Sequence, residues 1–452
     1  MVLEQKYLES LEWIHSIGRF GIKPGLERIY ALMERLGNPH HHLKFLHIGG
    51  TNGKGSTAAV AASVLQAAGY QTALYTSPFL LSFTNRMALN GQDIAPAELV
   101  EIVAQIRPLV AEISADPRLG QMTEFEVVTA LALTYFARRK PDIVVFEVGL
   151  GGRLDATNLV IPLVSVITNV NLEHTAILGN TVREIAREKA GIVKSGAPLV
   201  TAAEDEETLA VLEKKCRDLE SPLYRVLPAN LLNSFPQNSV GYSRRKITVT
   251  GQFFSYRGLN QKLDDLFLPL RGHYQVINAA SALAAVELIC GQGFMVSEGA
   301  LRRGLARTAW PGRLEQLSSD PFVILDGAHN PAAARQLAAA VSEYFQFKRL
   351  ILVLGIMADK DIQEMLRELI PLADEVVLTR PSLSRAADPV ILAGYIRQIP
   401  GFDKRVHVES DLSRALTLAL SLASRDDAVL ITGSLYTISE AKGLFKDYPA
   451  VK

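Results

Sequence analysis

Apolar residues fall along this chain in short β-branched runs separated by longer stretches of helical period. Runs at 44–48, 72–76, 143–148, 163–168 and 198–201 read as strands, and the segments 56–68, 124–137 and Val182–Lys189 between them read as helices. Alternation of this kind predicts a mainly parallel sheet covered on both faces. From about residue 223 to 268 the character changes. Alternating runs at 246–250 and 252–256 with turn residues nearby predict antiparallel hairpins appended to the sheet. A helix at about 278–290 follows, and Trp310-Pro-Gly-Arg313 then interrupts the helical pattern, which places a domain boundary near Thr308. Beyond it, Phe322–Leu325, Leu350–Leu354, Glu375–Leu378, Arg405–Val408 and 428–431 form a second strand series with helices between. The expected fold is α/β throughout. Residues 1–308 carry a phosphate-loop domain whose sheet is mainly parallel with a small antiparallel section, residues 309–452 a smaller Rossmann-like domain, with a cleft between.

Composition narrows the function more than the fold. At 452 residues the chain is too long for one ordinary core, which supports two domains. Forty-seven basic residues balance 47 acidic ones, so no excess field draws the protein to a nucleic-acid backbone or an anionic membrane. Cys216 and Cys290 are far apart, which argues against a disulfide framework and suits a reducing compartment. The first ten residues are charged and helical in period rather than signal-like, and no eighteen apolar residues run together, so a cytoplasmic, monomeric protein without membrane or nucleic-acid partners is expected. Pro39-His-His-His42 lacks nearby carboxylates and reads as an exposed turn rather than a metal cluster.

Three segments carry chemistry. The first is His47-Ile-Gly-Gly-Thr-Asn-Gly-Lys-Gly-Ser-Thr57, a glycine-rich turn between a strand and an alanine-rich helix. Its glycines let backbone N–H groups converge there on ATP phosphates, while Lys54 adds charge for the outer ones. The spacing is unusual, with three residues between Gly49 and Gly53 where G-x-x-x-x-G-K-[ST] has four, and Gly55 follows Lys54 in place of a hydroxyl. The metal-holding serine is thereby displaced to Ser56, so magnesium ligands must also come from elsewhere. A turn that only tightens strand–helix packing is the alternative, and Thr-Asn-Gly-Lys argues against it. The second segment is Phe146-Glu-Val-Gly-Leu-Gly-Gly-Arg-Leu-Asp-Ala-Thr-Asn158, which puts Glu147 at the carboxyl end of a buried strand, facing a ligand crevice, with Arg153 and Asp155 as polar contacts. In the third, 167–179, His174 stands just past another strand.

Together these segments resemble the folylpolyglutamate and dihydrofolate synthases of the Mur ligase superfamily. The resemblance runs from Gly21 to Glu440 and includes Thr76-Ser-Pro-Phe-Leu80, Met122-Thr-Glu-Phe-Glu126, Glu188-Lys-Ala-Gly-Ile192, Pro311-Gly-Arg313, Asp326-Gly-Ala-His-Asn-Pro331, residues 355–361 and Gly433-Ser-Leu-Tyr436. It implies an ATP-dependent ligase that adds L-glutamate to folates, or to dihydropteroate, through an acyl phosphate. It also implies roles. Thr51, Asn52, Gly53, Lys54, Gly55, Ser56, Asn278, Arg313 and Asp326 would hold ATP, and Ser77, Glu147, His174 and Lys189 would serve two Mg2+ sites, Lys189 as a carbamate. Lys23, Pro24, Gly25, Thr123, Leu154, Asp155 and Ala156 would line the folate side, with His329 at the incoming glutamate; Lys54, Lys189, Asp326 and His329 would be catalytic. Two positions depart from the family pattern: Glu173 stands where Asp is usual before the metal histidine, and Tyr274 where His is common.

Two rival readings are weighed. A Mur-type ligase for a cell-wall precursor is disfavoured by Gly55 after Lys54 and by Leu154-Asp-Ala-Thr-Asn158, both marks of the folate branch. A non-catalytic nucleotide switch needs no amino-acid site, so Asp326-Gly-Ala-His-Asn330 in a second domain counts against it.

Overall fold

A computed structural model describes residues 2–18, 21, 23–234 and 238–447 of the chain. Two sheets organise it. The larger has eleven strands, and at its centre lies Phe45–Gly49, buried along its whole length and paired in parallel with Ile143–Glu147 on one side and Val164–Ile167 on the other. From this centre the chain builds outward both ways, through Thr72–Tyr75 on one flank and through Leu199–Thr201 and Leu223–Pro228 on the other. A sheet in which strand order reverses beside one strand leaves a crevice at the carboxyl ends, and the loops after these central strands converge there.

Continuous apolar runs become strands because both sheet faces are covered. Lys54–Ala67 and His273–Cys290 cover one face, and Glu27–Arg35, Pro96–Ala115 and Glu124–Arg139 the other. Small residues let helices approach closely: Gly304, on Glu298–Arg307, lies against the backbone of Val64, and Ser63 Oγ donates to the Gly304 carbonyl at 2.7 Å.

The second sheet has six strands in the order Glu315–Ser319, Phe322–Leu325, Ala428–Thr432, Leu350–Leu354, Glu375–Leu378, Arg405–Val408, all parallel except the first. Pro331–Tyr344, Ile362–Leu369 and Pro389–Ile396 pack on one face and Leu412–Leu422 and Leu435–Asp447 on the other.

Two expectations need correction. The antiparallel section does not begin at residue 223: Leu223–Pro228 pairs in parallel with both neighbours, and the antiparallel pairing is confined to Ser239–Thr248, Gly251–Arg257 and Lys262–Leu268. A second antiparallel edge, Met87–Leu89 with Gln92–Asp93, closes the other flank. Within Pro39–His42 the exposed-turn expectation fails for His40, which is buried and stacked edge-on against His41. Val2–Ile17 is helical, with Met1 outside the described residues. No helix among the described residues is long and apolar enough to cross a membrane.

Candidate active site

Both sheets present the carboxyl ends of their strands to one cleft, a cavity of about 540 Å³. Its first wall is the phosphate loop. Gly53 initiates the Lys54–Ala67 helix at φ 85°, a left-handed conformation, and a Cβ there would come within 2.3 Å of Asn278 Oδ1. Lys54 Nζ is held over the loop by the carbonyls of Gly50 and Thr51, at 3.0 and 3.1 Å. The loop is braced from below by 168–171: Asn169 accepts from Thr51 N through its carbonyl and from Asn52 N through Oδ1, and Thr168 Oγ donates to Asn52 O at 2.7 Å.

Gly55 has a steric cause. The indole of Trp310 lies on it, so a Cβ at Gly55 would meet that ring at 2.6 Å. A serine or threonine after Lys54 has no room, which accounts for the displaced hydroxyl.

The second wall gathers the polar residues that follow buried strands. Glu147 is buried, and the Ser77 N–H, donating at 3.1 Å, is its one hydrogen-bond donor among the described residues. Burial pushes its carboxyl up to about 7, against the pull of Lys54. A desolvated carboxylate with one donor is a group that a hard cation would stabilise. His174 follows with a left-handed backbone at φ 47°, and burial, then Lys360, lowers its pKa. No three His, Cys, Asp or Glu side chains converge as a metal cluster among the described residues. The magnesium set implied by the sequence is not of that kind: it mixes a serine, a carboxylate, a histidine and a lysine, and all four line the cavity.

Lys189 is not the surface lysine paired with Glu184 or Glu188 that its helix alone would suggest. Glu184 caps its own helix through Thr181, and Glu188 pairs with Arg153 at 2.8 Å. Lys189 is 1% exposed, with Nζ 2.9 Å from Glu173 Oε1. Burial brings its ammonium down to about 8, Lys54 adds to the shift, and Glu173 opposes it. Lys189 in turn holds the Glu173 carboxyl below the usual range despite burial, so the two titrate as a unit.

From the second sheet come Arg313, Asp326 and His329. Asp326 accepts the N–H groups of Leu314 and Ala328 at 3.0 and 2.9 Å, while burial raises its pKa against Arg313. His329 Nδ1 lies 2.9 Å from the Gly327 carbonyl, so that nitrogen carries the proton and Nε2 is left with a lone pair. Burial lowers the His329 pKa to about 4, which keeps the ring neutral at ordinary pH. Across the cleft, Asn52 and Asn330 exchange amide hydrogen bonds of 3.0 and 3.3 Å.

Every nucleotide and metal residue named from the sequence lines this cleft, Thr51 to Ser56, Ser77, Glu147, His174, Lys189, Asn278, Arg313 and Asp326, and so does His329 from the glutamate assignment. The residues assigned to the folate side do not. Instead Arg28 joins two of their segments, donating to Glu126 at 2.9 Å and to the Lys23 carbonyl at 2.7 Å, while Glu126 also accepts from Thr123. Asp155 is buried, with its oxygens receiving Leu150 N, Thr157 N and Thr157 Oγ. It shapes the loop that carries Leu154 and Ala156. Arg153 lies outside, exposed and paired with Glu188.

Sequence reasoning left several lining residues without a role. Lys360, Arg385, Ser434 and Tyr436 face the cleft from the second sheet, with the Arg385 guanidinium over the Tyr436 ring at 4.8 Å. Their signal is the one used for Glu147, a polar residue soon after a buried parallel strand. Trp310 gave no such signal, since its contact with Gly55 is remote in sequence.

Comparison with known proteins agrees with this geometry. The chain matches the Mur ligase middle domain over residues 48–286 and the Mur ligase glutamate ligase domain over 312–435. It is 37% identical to the dihydrofolate synthase/folylpolyglutamate synthase of Bacillus subtilis, with 97% of this chain and 99% of that one aligned. It is 35% identical to the folylpolyglutamate synthase of Lacticaseibacillus casei, over 96% of this chain and 98% of the relative. Among solved structures, Mycobacterium tuberculosis folylpolyglutamate synthase complexed with ADP and AMPPCP superposes with a TM-score of 0.89 at 35% identity, covering 98% of this chain and 100% of that one. Escherichia coli FolC in complex with DHPP and ADP gives 0.85 at 30% identity, over 97% and 98%.

Proposed function

The chain belongs to the folylpolyglutamate and dihydrofolate synthase family of Mur ligases, and from that premise we propose that it joins L-glutamate to a folate, or to dihydropteroate, at the expense of ATP. The observation that carries this reading is the single cleft shared by a phosphate loop from one sheet and by Arg313, Asp326 and His329 from the other. We divide the labour at Thr308: residues 1–308 take the nucleotide and folate, and 309–452 the glutamate. A cytoplasmic monomer acting on small molecules fits the balanced charge of the chain.

The chemistry follows from the residues. Lys54 and the loop N–H groups hold the outer phosphates, while Asn278, Arg313 and Asp326 hold the rest of the nucleotide from both sides. The substrate carboxylate oxygen attacks the γ-phosphorus, ADP leaves, and an acyl phosphate remains. The glutamate nitrogen then attacks the acyl carbon and phosphate departs. His329 Nε2, with its lone pair, is suited to accept a hydrogen bond from the incoming amino group and orient it, while the departing phosphate can take the proton that this nitrogen sheds. Ser77, Glu147 and His174 would hold one magnesium ion, and Lys189 as a carbamate would support the second. When bound, these cations offset the charge gathering on the transferred phosphoryl group. The desolvated Lys189 amine favours carbon dioxide addition, since its pKa of about 8 leaves part of it uncharged near neutral pH. A carbamate would turn the Glu173 contact from attraction to repulsion, so it needs the cation to persist. Closing the cleft excludes water from the acyl phosphate.

The test is ATP-dependent incorporation of labelled glutamate with tetrahydrofolate, dihydropteroate, a muramoyl precursor or no acceptor. Product with either of the first two supports the reading. Product with the cell-wall precursor alone, or ATP hydrolysis without product, overturns it.

A further inference from the structure

A side-chain amide has one end that donates and one that accepts, nearly equal in shape, so which end meets a ligand is decided by its neighbours. Asn278 is such a group in the cleft, and Gln275, one turn earlier on the helix His273–Cys290, is its neighbour. Asn278 Nδ2 donates to Gln275 Oε1 at 3.0 Å, and both side chains are buried, that of Gln275 completely. Gln275 stands behind the cleft wall rather than in it. Its own Nε2 is sealed from solvent with no hydrogen-bond partner. A buried donor left unpaired costs stability, so an apolar side chain would serve packing better here. What the glutamine supplies is an acceptor for Asn278.

With Nδ2 engaged, the oxygen of Asn278 is the end left over. It lies against the phosphate loop: a Cβ on Gly53 would come within 2.3 Å of Oδ1 and 3.1 Å of Nδ2. Among the described residues Oδ1 receives no hydrogen bond. Gly53 is the N-cap of the helix Lys54–Ala67, the positive end of its dipole, and the Lys54 ammonium follows directly. A carbonyl oxygen is favoured in that field and an amide NH2 is not, so turning both amides over is opposed. The place of the oxygen gives it a use. Lys54 and the loop take the phosphates, which leaves the base to the apolar part of the cleft wall, Ala202, Ala203, Ile277, Ala332 and Ala333. Ile277 adjoins Asn278, so the amide stands where loop and apolar wall meet and the edge of a purine would pass. An acceptor at that edge pairs with an exocyclic amino group, whereas an exocyclic carbonyl sets oxygen against oxygen.

We propose that Gln275 is a positioning residue for nucleotide choice: by fixing the Asn278 amide it presents an acceptor to the 6-position of the purine, so the enzyme takes a 6-amino purine nucleotide and rejects a 6-oxo one. The proposal rests on the ATP-dependent reading above and adds what makes that site selective. Gln275 touches no substrate and acts through Asn278 alone.

ATP and inosine triphosphate differ in the 6-substituent, amino against oxo, without the extra 2-amino group of guanine. Binding of each in the presence of magnesium is measured by calorimetry on wild type, Gln275→Met and Gln275→Glu, with KM for folate and glutamate alongside. Methionine keeps the length and removes the acceptor; glutamate keeps the acceptor and removes the unpaired donor. Wild type is expected to prefer ATP by about tenfold or more, the worth of one hydrogen bond made or opposed. Gln275→Met should lose most of that preference and Gln275→Glu should keep it, with the KM values for folate and glutamate unchanged in both. Gln275→Leu supplies the same comparison if the methionine variant does not fold. A wild type that binds the two nucleotides alike overturns the proposal. So does a Gln275→Met enzyme that keeps the wild-type preference or weakens both nucleotides by one factor, as does a folded Gln275→Glu enzyme that loses the preference. A wild type that discriminates as expected yet makes no glutamyl product overturns the ligase reading instead, while the ratio of the two nucleotides still decides Gln275.

Discussion

At the scale of single residues, the site is built by desolvation, and its titrating groups are where that is measurable. Glu147 sits in the cleft with one backbone donor and a pKa near 7. Glu147→Gln keeps the shape and removes the charge, so the magnesium concentration for half-maximal ligation should rise at least about tenfold, the worth of one charged contact. An unchanged magnesium titration would move the metal elsewhere. His47 shows the same physics beneath the loop. Thr157 Oγ gives its proton to Asp155, so His47 Nε2–H must donate to Thr157 Oγ at 2.9 Å, leaving Nδ1 buried without a partner. Burial, aided by Lys194, takes the His47 pKa from 6.5 to about 3. Between those values the unfolded chain binds a proton that the native one refuses. Stability from this site is therefore complete above pH 6.5 and declines as pH falls toward 3. Against His47→Gln, wild type should lose up to about 1.4 kcal/mol more per pH unit in that window, read by urea unfolding between pH 6 and 4. Parallel curves would mean that the ring is protonated in the fold.

Elements were legible where burial is two-sided, and less so elsewhere. Phe322–Leu325, Leu350–Leu354 and Glu375–Leu378 stand where their apolar runs put them, because a strand covered on both faces has no polar alternation to blur its ends. Glu315–Ser319 went unread since it is a half-exposed edge with polar residues, and Met87–Leu89 since three residues carry no period. The direction of Leu223–Pro228 depends on partners distant in sequence, which local pattern cannot report. The site follows the same division. Glu147 and His174 were visible as polar residues after buried strands, whereas the partner of Lys189 and the inward use of Asp155 both depend on three-dimensional neighbours. Gly55 is the sharpest instance, an odd residue in a readable motif whose cause is Trp310. Gly55→Ala should cost about 1–3 kcal/mol through overpacking against the indole and weaken ATP binding with it. Trp310→Leu should restore part of both in the double variant, as urea unfolding and nucleotide titration would register. If the double variant is only as impaired as the sum of the two singles, the ring is not what excludes a Cβ.

Taken whole, the molecule is two sheets fastened differently on the two sides of one cleft. On the far side Tyr344 donates to Gln252 Oε1 through a buried hydrogen bond of 2.6 Å, and beside it the more exposed Arg244 pairs with Glu343. On the cleft side the sheets meet through polar contacts, Ser439 Oγ to the Leu80 carbonyl and the reciprocal Asn52–Asn330 amides. A buried hydrogen bond holds register, while partly buried polar contacts can open and re-form, so the Tyr344–Gln252 bond is suited to a hinge and the Asn52–Asn330 pair to a latch. Asn330 also caps Pro331–Tyr344 by accepting the Ala333 N–H at 2.8 Å, which ties the latch to the loop bearing His329. Asn330→Ser retains a capping oxygen but is too short to reach Asn52. Loss of two neutral hydrogen bonds should lower kcat/KM for glutamate by about tenfold, with ATP affinity and thermal midpoint little changed. Adding Asn52→Ala to that variant should lower glutamate kcat/KM no further, because the two side chains act as one contact and their effects are not additive. Additive losses, or a loss of ATP affinity that matches the loss for glutamate, would show that the amides serve the phosphate loop alone and that the cleft is closed by other contacts.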